Sequence, residues 1–511
     1  MANDSIPPSR GICYLVGAGP GDPGLVTLRA RECIEAAEVI AYDYLVNKEL
    51  LLWAKPGVEM IYVGKQADQH TLEQSKINQL LVKRVREGKI VTRLKGGDPM
   101  VFGRGGEEAE ELAEAGCAFE MVPGISSTIA GPAYAGIPVT HRAHNAQLTI
   151  FTGHEDPDKE ESSLDFAKLA AADGVKVMLM GVGRIAELMT KFISHGASPA
   201  TPVALVRWAT TGRQQTLTGT MATIADAVKA ANFKAPAVCI MGTNVNLREK
   251  LRWFDNRPLF GKRIVVTRTR DQAGQLSRRL KALGADVIEI PTIRIEPPMN
   301  RMAFGECVED AHKFDWLVFS SPNGAAAFFD LFFKIYRDAR EIGGCRIAAI
   351  GPGTEKKIKE YHLSVDFIPE ESVAESFVDE FIEHYGSVAN QTFLWVRAED
   401  ARPVIAKELN KHGGIVDEAI AYRTVPERDD ITGGQARLRD EGADMITFAS
   451  SSAVENFLNL KLPLPENVKI ASIGPVTSRT LHARGLVVDV EADRHDIAGF
   501  TEAICRHFIP E

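Results

Sequence analysis

No run of about 18 consecutive apolar residues, the least that spans a bilayer as a helix, occurs in the 511-residue sequence, so no membrane crossing is expected. The first ten residues, Met-Ala-Asn-Asp-Ser-Ile-Pro-Pro-Ser-Arg10, lack the apolar core of a secretory signal. Cysteine is scarce: there are seven, scattered, with no Cys-x-x-Cys pair, which argues against a disulfide framework and fits a reducing, cytoplasmic setting. Positive charge is in deficit. A net charge of -9 argues against general nucleic-acid binding, so a polyanionic ligand needs a local basic pocket. Low-complexity tracts are missing too. What remains is an ordinary apolar fraction, 45%, spread over a chain too long for one core, which implies two or three globular domains.

The second half repeats itself. Val-Val-Thr-Arg268 matches Leu-Trp-Val-Arg397, Leu-Gly284-Ala-Asp-Val matches His-Gly413-Gly-Ile-Val, and Phe-Asp-Trp-Leu-Val-Phe-Ser-Ser321 matches Ala-Asp-Met-Ile-Thr-Phe-Ala-Ser450, each at an offset of 129. Ile-Gly351-Pro-Gly-Thr354 and Ile-Gly474-Pro-Val-Thr477 keep an offset of 123, as a loop deletion would leave. Each copy alternates apolar runs with helix-patterned segments, which predicts two similar α/β lobes. The stretch from Leu247 to Lys262 interrupts the apolar periodicity and reads as a linker. Before it, strands are expected at Ile12 to Val16, Val39 to Tyr42 and Ile90 to Arg93, with helices from Thr27 to Ala37 and Leu72 to Glu87.

Two glycine-rich stretches in the first half serve no obvious need of packing. Arg93-Leu-Lys-Gly-Gly-Asp-Pro-Met-Val-Phe-Gly-Arg-Gly-Gly-Glu-Glu108 follows an apolar strand, and its glycines let the main chain approach a ligand while Asp98 holds a hydroxyl or ammonium. Val16-Gly-Ala-Gly-Pro-Gly-Asp-Pro-Gly24 falls short of a dinucleotide fingerprint, since Asp22 stands where the third glycine is required, and this disfavours a nicotinamide oxidoreductase.

With Tyr42-Asp-Tyr-Leu45, Val63-Gly-Lys65, Val122-Pro-Gly-Ile-Ser-Ser127, Ala133-Tyr-Ala-Gly-Ile-Pro-Val-Thr-His-Arg142, Thr152-Gly-His154 and Met180-Gly181, these stretches resemble the tetrapyrrole methylase family, and within it the uroporphyrinogen-III C-methyltransferases, over residues 11–254. The resemblance implies a two-subdomain tetrapyrrole methylase fold, S-adenosyl-L-methionine as methyl donor with S-adenosyl-L-homocysteine as product, and a homodimer formed through this domain. Pro20, Gly96, Gly97, Asp98, Val101, Ser126, Ser127, Met180, Ala209 and Ala237 stand at the family's cofactor-contacting positions. Close relatives read Glu-Asn-Gly-Thr where this chain has Arg207-Trp-Ala-Thr210, a change that a main-chain contact at Ala209 survives. By the same resemblance Asp43 is the base that takes a pyrrole proton and Lys65 the acid; as a residue after a strand, Asp43 can equally cap a turn. A macrocycle bearing eight carboxylates calls for cations, and Arg93, Lys95, Arg104 and Arg142 are the candidates, with internal ion pairs as the alternative for each. His141 and His144 have a metal-like spacing without a third ligand, and no bound metal is expected.

In the second half, Phe319-Ser-Ser-Pro-Asn323, Ile350-Gly-Pro-Gly-Thr354, Ala421-Tyr-Arg-Thr424, Phe448-Ala-Ser-Ser-Ser452 and Ile473-Gly-Pro-Val-Thr477 resemble, in that order, the uroporphyrinogen-III synthase family over residues 258–511. The resemblance implies two lobes joined by two strands, near Ile293 to Glu296 and Ala421 to Val425. It also implies cyclisation of hydroxymethylbilane, with Tyr422 as proton donor to the departing hydroxyl and Thr477 as a cleft hydroxyl. A packed inter-lobe tyrosine and a helix N-cap are their plainer readings. Ser320, Ser321 and Ser451 either bind carboxylates at helix N-termini or only cap. Together the halves imply a bifunctional enzyme making precorrin-2 toward sirohaem or cobalamin. The alternatives are a second half that carries tetrapyrrole without turnover, or a methylase of a later corrin intermediate.

Overall fold

The computed structural model describes residues 11–64, 73–154, 163–267, 270–370, 374–427 and 430–509. The first sheet is parallel throughout and contains Ile12–Gly17 (β1), Val39–Tyr42 (β2), Glu59–Tyr62 (β3), Ile90–Lys95 (β4) and Ala118–Val122 (β5), in the order β3-β2-β4-β1-β5. The second contains Leu148–Thr152 (β6), Val175–Leu179 (β7), Pro202–Arg207 (β8), Gln215–Thr220 (β9) and Ala237–Met241 (β10), in the order β6-β7-β10-β8-β9. Only its β6 and β7 run parallel, because β8 and β9 form a hairpin and β10 inserts antiparallel between β7 and β8.

Local chemistry accounts for the elements that lead into the cavity. Thr27 Oγ1 accepts from the amide of Ala30 and starts the helix Leu28–Ala36 on the expected residue. Val39, Ile40 and Ala41 are all buried, as a strand covered on both faces requires.

Among its described residues the second half holds ten strands in two sheets: Arg263–Val266 (β11), Asp286–Glu289 (β12), Ile293–Glu296 (β13), Trp316–Phe319 (β14), Arg346–Ala349 (β15), Thr392–Ala398 (β16), Ile415–Pro426 (β17), Met445–Phe448 (β18), Lys469–Ser472 (β19) and Val490–Glu491 (β20). Their orders are β12-β11-β18-β19-β20 and β13-β17-β16-β14-β15. The expected connecting strands are β13 and the end of β17, which pair antiparallel from Ile293 with Pro426 to Glu296 with Arg423. One expectation needs correction. The repeat copies are not themselves the lobes: the first lobe takes β11 and β12 from one copy and β18 and β19 from the other, and the second lobe takes β14 and β15 with β16 and β17. The chain leaves the first lobe at β13 and returns along β17, so each lobe is assembled from half of each copy.

Alternation along β14 divides the second lobe's core. Leu317 and Phe319 join the cluster beneath the helix Pro322–Ile335, while Trp316 and Val318 join the cluster on the opposite face. That helix buries Ala325, Phe328, Phe329 and Phe332, one stripe at helical spacing, and is started by Ser321 with Pro322 in its first turn. The Phe328 ring meets Phe319 edge-on at 5.3 Å between centroids. Among the described residues no helix is long and apolar enough to cross a membrane.

Phe328→Ala should therefore destabilise the second half by about 3–5 kcal/mol, the usual result of removing a fully buried aromatic side chain. Urea unfolding followed by near-ultraviolet circular dichroism measures it, and a loss below about 1 kcal/mol would contradict this packing.

Candidate active sites

The ends of β1 and β4 and the segment after β5 meet at the floor of a cavity of about 1700 Å³. Backbones approach there more closely than side chains permit. A Cβ on Gly17 would lie 2.5 Å from the Cα of Gly124, and Gly97 holds a left-handed φ of 71° while exchanging amide hydrogen bonds with Gly19 at 2.7 and 3.2 Å. Asp98 fixes this crossing. Its Oδ1 accepts from the amide of Met100 at 2.7 Å and its Oδ2 from that of Gly124 at 2.9 Å, so its carboxylate first holds its own loop. Ser126 starts the helix Ser127–Tyr134 and accepts from the amide of Thr128.

Every expected cofactor position, from Pro20 to Ala237, lines this cavity, together with Asp43, Arg93, Lys95 and Arg104. Met180 (φ 57°) projects half exposed into it, and Ala209 stands between Trp208 (φ 47°) and Thr210 (φ 70°), both left-handed. Asp43 caps its turn, its Oδ1 accepting from the amide of Leu45 at 3.1 Å, and its Oδ2 lies 3.7 Å from Arg93 Nη2 at the cavity wall. Lys65, expected as the acid, lies outside the described residues.

The candidate cations divide. Arg93 and Lys95 are 4% and 3% exposed, and both donate to Oε1 of Glu108, which is fully buried, at 3.2 and 2.7 Å. Gln74 donates to the same oxygen at 3.0 Å. Burial, reinforced by Arg93, pulls the Lys95 ammonium below the usual lysine range, with Glu108 opposing. Arg104 pairs with Glu107 at 2.6 Å and lowers that carboxyl. Arg142 is exposed and outside the cavity lining. The internal ion pair is thus the observed state of Arg93, Lys95 and Arg104. Sequence reasoning missed Glu108, and also Tyr134, whose hydroxyl bonds Asp22 Oδ2 at 3.1 Å and is pushed up to about 12 by burial and then by Asp22. The rings of His141 and His144 lie tilted to each other with centroids 4.7 Å apart, and no three potential metal ligands converge among the described residues.

In the second half the candidates follow the C-terminal ends of parallel strands, where open α/β sheets bind ligands. Ser321 caps its helix, accepting from the amide of Gly324 at 3.1 Å, and its Oγ lies 3.0 Å from the Tyr422 hydroxyl. Burial raises the Tyr422 phenol, partly offset by Ser321. Ser320 donates to the carbonyl of Val396 at 3.2 Å. Two capping assignments are corrected: Gly474, not Thr477, is the N-cap of the helix Pro475–Ala483, and Ser450, not Ser451, caps Ser451–Asn459. In both cases the extended residue lies one or more positions earlier than the hydroxyl singled out. Thr477 is buried in the first turn, and Ser451 accepts from Thr480 Oγ1 at 2.7 Å.

Residues 13–225 match the family described as tetrapyrrole (corrin/porphyrin) methylases, and residues 274–502 match the uroporphyrinogen-III synthase HemD family. The chain is 36% identical over 471 residues to the porphyrin biosynthesis protein HemD of Ruminiclostridium josui, covering 92% of this chain and 93% of that protein. It is 51% identical over 241 residues to the S-adenosyl-L-methionine-dependent uroporphyrinogen III methyltransferase of Methanosarcina barkeri, covering 47% of this chain and 94% of that one. A crystal structure of uroporphyrin-III C-methyltransferase from Thermus thermophilus with S-adenosylhomocysteine aligns at 36% identity and a TM-score of 0.41, covering 46% of this chain and 100% of that one.

Glu108→Ala would leave the buried Lys95 without its paired carboxylate and Arg93 with only the more distant Asp43, and should destabilise the first half by about 3–5 kcal/mol. Denaturant unfolding tests this, and an unchanged midpoint would mean that water or another group already neutralises Arg93 and Lys95.

Proposed function

Since the chain belongs to the tetrapyrrole methylase family over its first half and to the uroporphyrinogen-III synthase family over its second, we propose that it is a bifunctional enzyme of tetrapyrrole biosynthesis that cyclises hydroxymethylbilane to uroporphyrinogen III and methylates the product twice, through precorrin-1 to precorrin-2. Residues 11–254 are assigned to methyl transfer and 258–511 to cyclisation, with a homodimer formed through the first half and a product destined for sirohaem or cobalamin. The observation that carries the reading is the convergence of every expected cofactor position and of Asp43 on one cavity.

That cavity suits the donor. Its floor is glycine backbone too crowded for a Cβ, and its volume, about 1700 Å³, exceeds the roughly 300–1,000 Å³ of an ordinary small-molecule site, leaving room for a macrocycle beside a nucleoside. S-adenosylmethionine supplies an electrophilic methyl group there. The chain contributes position and proton handling. Polar main chain at Gly96, Gly97, Asp98, Ser126 and Ser127 and apolar surface from Pro20, Val101, Met180, Ala209 and Ala237 hold the donor against the acceptor carbon, an alignment that supplies up to about 7–11 kcal/mol. Asp43 accepts the pyrrole proton released as the new carbon–carbon bond forms, and Arg93, 3.7 Å from its Oδ2, helps hold the carboxylate at the cavity wall.

In the second half the bilane's own electronics expel its hydroxyl, and Tyr422, kept protonated by burial and oriented by Ser321, delivers the proton that makes water of it. Thr477 and Ser451 belong to the other lobe, and their hydroxyls with the main-chain amides beside them are assigned to folding the linear substrate.

Anaerobic incubation of the chain with hydroxymethylbilane and S-adenosylmethionine should give a type-III product carrying two added methyl groups, read by absorbance and mass. Accumulation of uroporphyrinogen I, while supplied uroporphyrinogen III is still methylated, would make the second half a binder. Asp43→Asn should lower the methylation kcat by about 10²–10⁴-fold. Tyr422→Phe should slow cyclisation by about tenfold, or about 1.4 kcal/mol, because the substrate does most of the work; an unchanged rate would remove the proton-donor role.

A further inference from the structure

The first lobe of the second half lies across the cavity of the first half and touches both of its walls. On one side Lys281, near the end of the helix Arg270–Ala282, reaches Glu49 at 2.6 Å and Glu289 at 3.5 Å. Glu49 belongs to the turn Lys48–Trp53, which follows the Asp43 loop and packs with the first sheet. On the other side Arg213 donates to Glu441 at 2.9 Å from the loop between β8 and β9 of the second sheet. At Gly212 the two backbones meet: a Cβ there would lie 2.3 Å from the carbonyl of Ala285 and the amide of Asp286. Glu441 and Asp286 are in turn held by Arg263 and Arg437, so the contact is anchored in the lobe rather than at its surface.

The loop so gripped is the one that departs from the family's pattern and carries Ala209. The Arg213 guanidinium covers the Trp208 ring at 4.4 Å, and on the cavity side Thr210 Oγ1 accepts from the amide of Asp22 at 3.0 Å. Left-handed φ angles at Trp208 and Thr210 persist only where the surroundings impose them. The contact follows the edge strand β12 and does not include the candidate hydroxyls of the second half. Asp286 and Glu441 stand at the N-terminal ends of β12 and β18, whereas Ser451 and Thr477 follow the C-terminal ends of β18 and β19.

We propose that the synthase half is a cross-brace for the methyl-donor cleft: Lys281 on one wall, and Gly212 with the Arg213–Glu441 pair on the other, fix the separation of the two methylase subdomains and the shape of the loop through Ala209, and so set the affinity for the donor. Lys281, Gly212 and Arg213 are positioning residues. The inference rests on the donor site proposed above.

Titration calorimetry of S-adenosylhomocysteine into the full chain tests it. Lys281→Glu should weaken binding about tenfold, and adding Glu49→Lys should restore most of it, with the donor KM following affinity and kcat at saturating donor changing less than about threefold. Gly212→Ala, which leaves every charge in place, should also weaken binding and serves where the charge variant does not fold. Equal affinity in all variants overturns the brace, as does a Lys281→Glu loss that the swap does not recover. If the unaltered chain binds no S-adenosylhomocysteine, the donor-site reading itself fails and takes the inference with it.

Discussion

The cavity of the first half depends on one buried carboxylate. Glu108 has no exposure and receives Arg93, Lys95 and Gln74 at a single oxygen. Without it, β4 would end in two desolvated cations facing the same space, and burial and Arg93 already pull the Lys95 ammonium below the usual lysine range. With it, the local balance is met by two carboxylates for two cations, because Arg93 also faces Asp43. The strand can then run straight from a charged, dry interior into Gly96, Gly97 and Asp98 at the cavity floor. An ion cluster of this kind stabilises less than its distances suggest, but it admits few alternative arrangements of the chain around it.

What the sequence disclosed follows the range over which its signals act. The segment Val39 to Tyr42 is a strand as read, and the helix expected from Thr27 to Ala37 runs from Leu28 to Ala36, because alternation and a capping threonine act within a few residues. Glycine landmarks were equally legible, since a backbone crossing leaves no other residue possible at Gly17 and Gly124. Charges were not. An internal ion pair was one of the two fates open to Arg93 and Lys95, but its partner could not be named, because no spacing rule connects a strand residue to a helix residue 13 or 15 positions later. Asp98 looked like a ligand contact and is first a clamp on its own turn.

The second half teaches the same lesson at the scale of topology. A repeat with a constant offset reveals that two similar units exist, but not which strands pair. Here β11 joins β18 rather than the strands that complete its own copy, and β16 joins β14. The exchange follows from the connecting strands. Once β13 carries the chain out of the first lobe, the strands that follow must build the second, and only β17 brings the chain back. Both lobes thereby share the two connecting strands, and Tyr422 stands on β17 next to the start of their antiparallel pairing at Arg423, with its hydroxyl 3.0 Å from Ser321 Oγ.

Joining the halves in one chain would be expected to shorten the path between their sites, yet the packing gives a different benefit. The interface runs along the edge strand β12 and its flanks, where Gly212 meets Ala285 and Asp286, Arg213 meets Glu441 and Glu49 meets Lys281, whereas Ser451 and Thr477 follow β18 and β19 in the interior of the sheet order. Proximity still raises the local concentration of product, but a flexible tether would do that equally well. A tether would not place backbone against backbone at Gly212 or hold Glu49 and Arg213 from opposite walls of one cleft. Those contacts need a rigid neighbour of fixed shape, and that shape is what the second half contributes to the first.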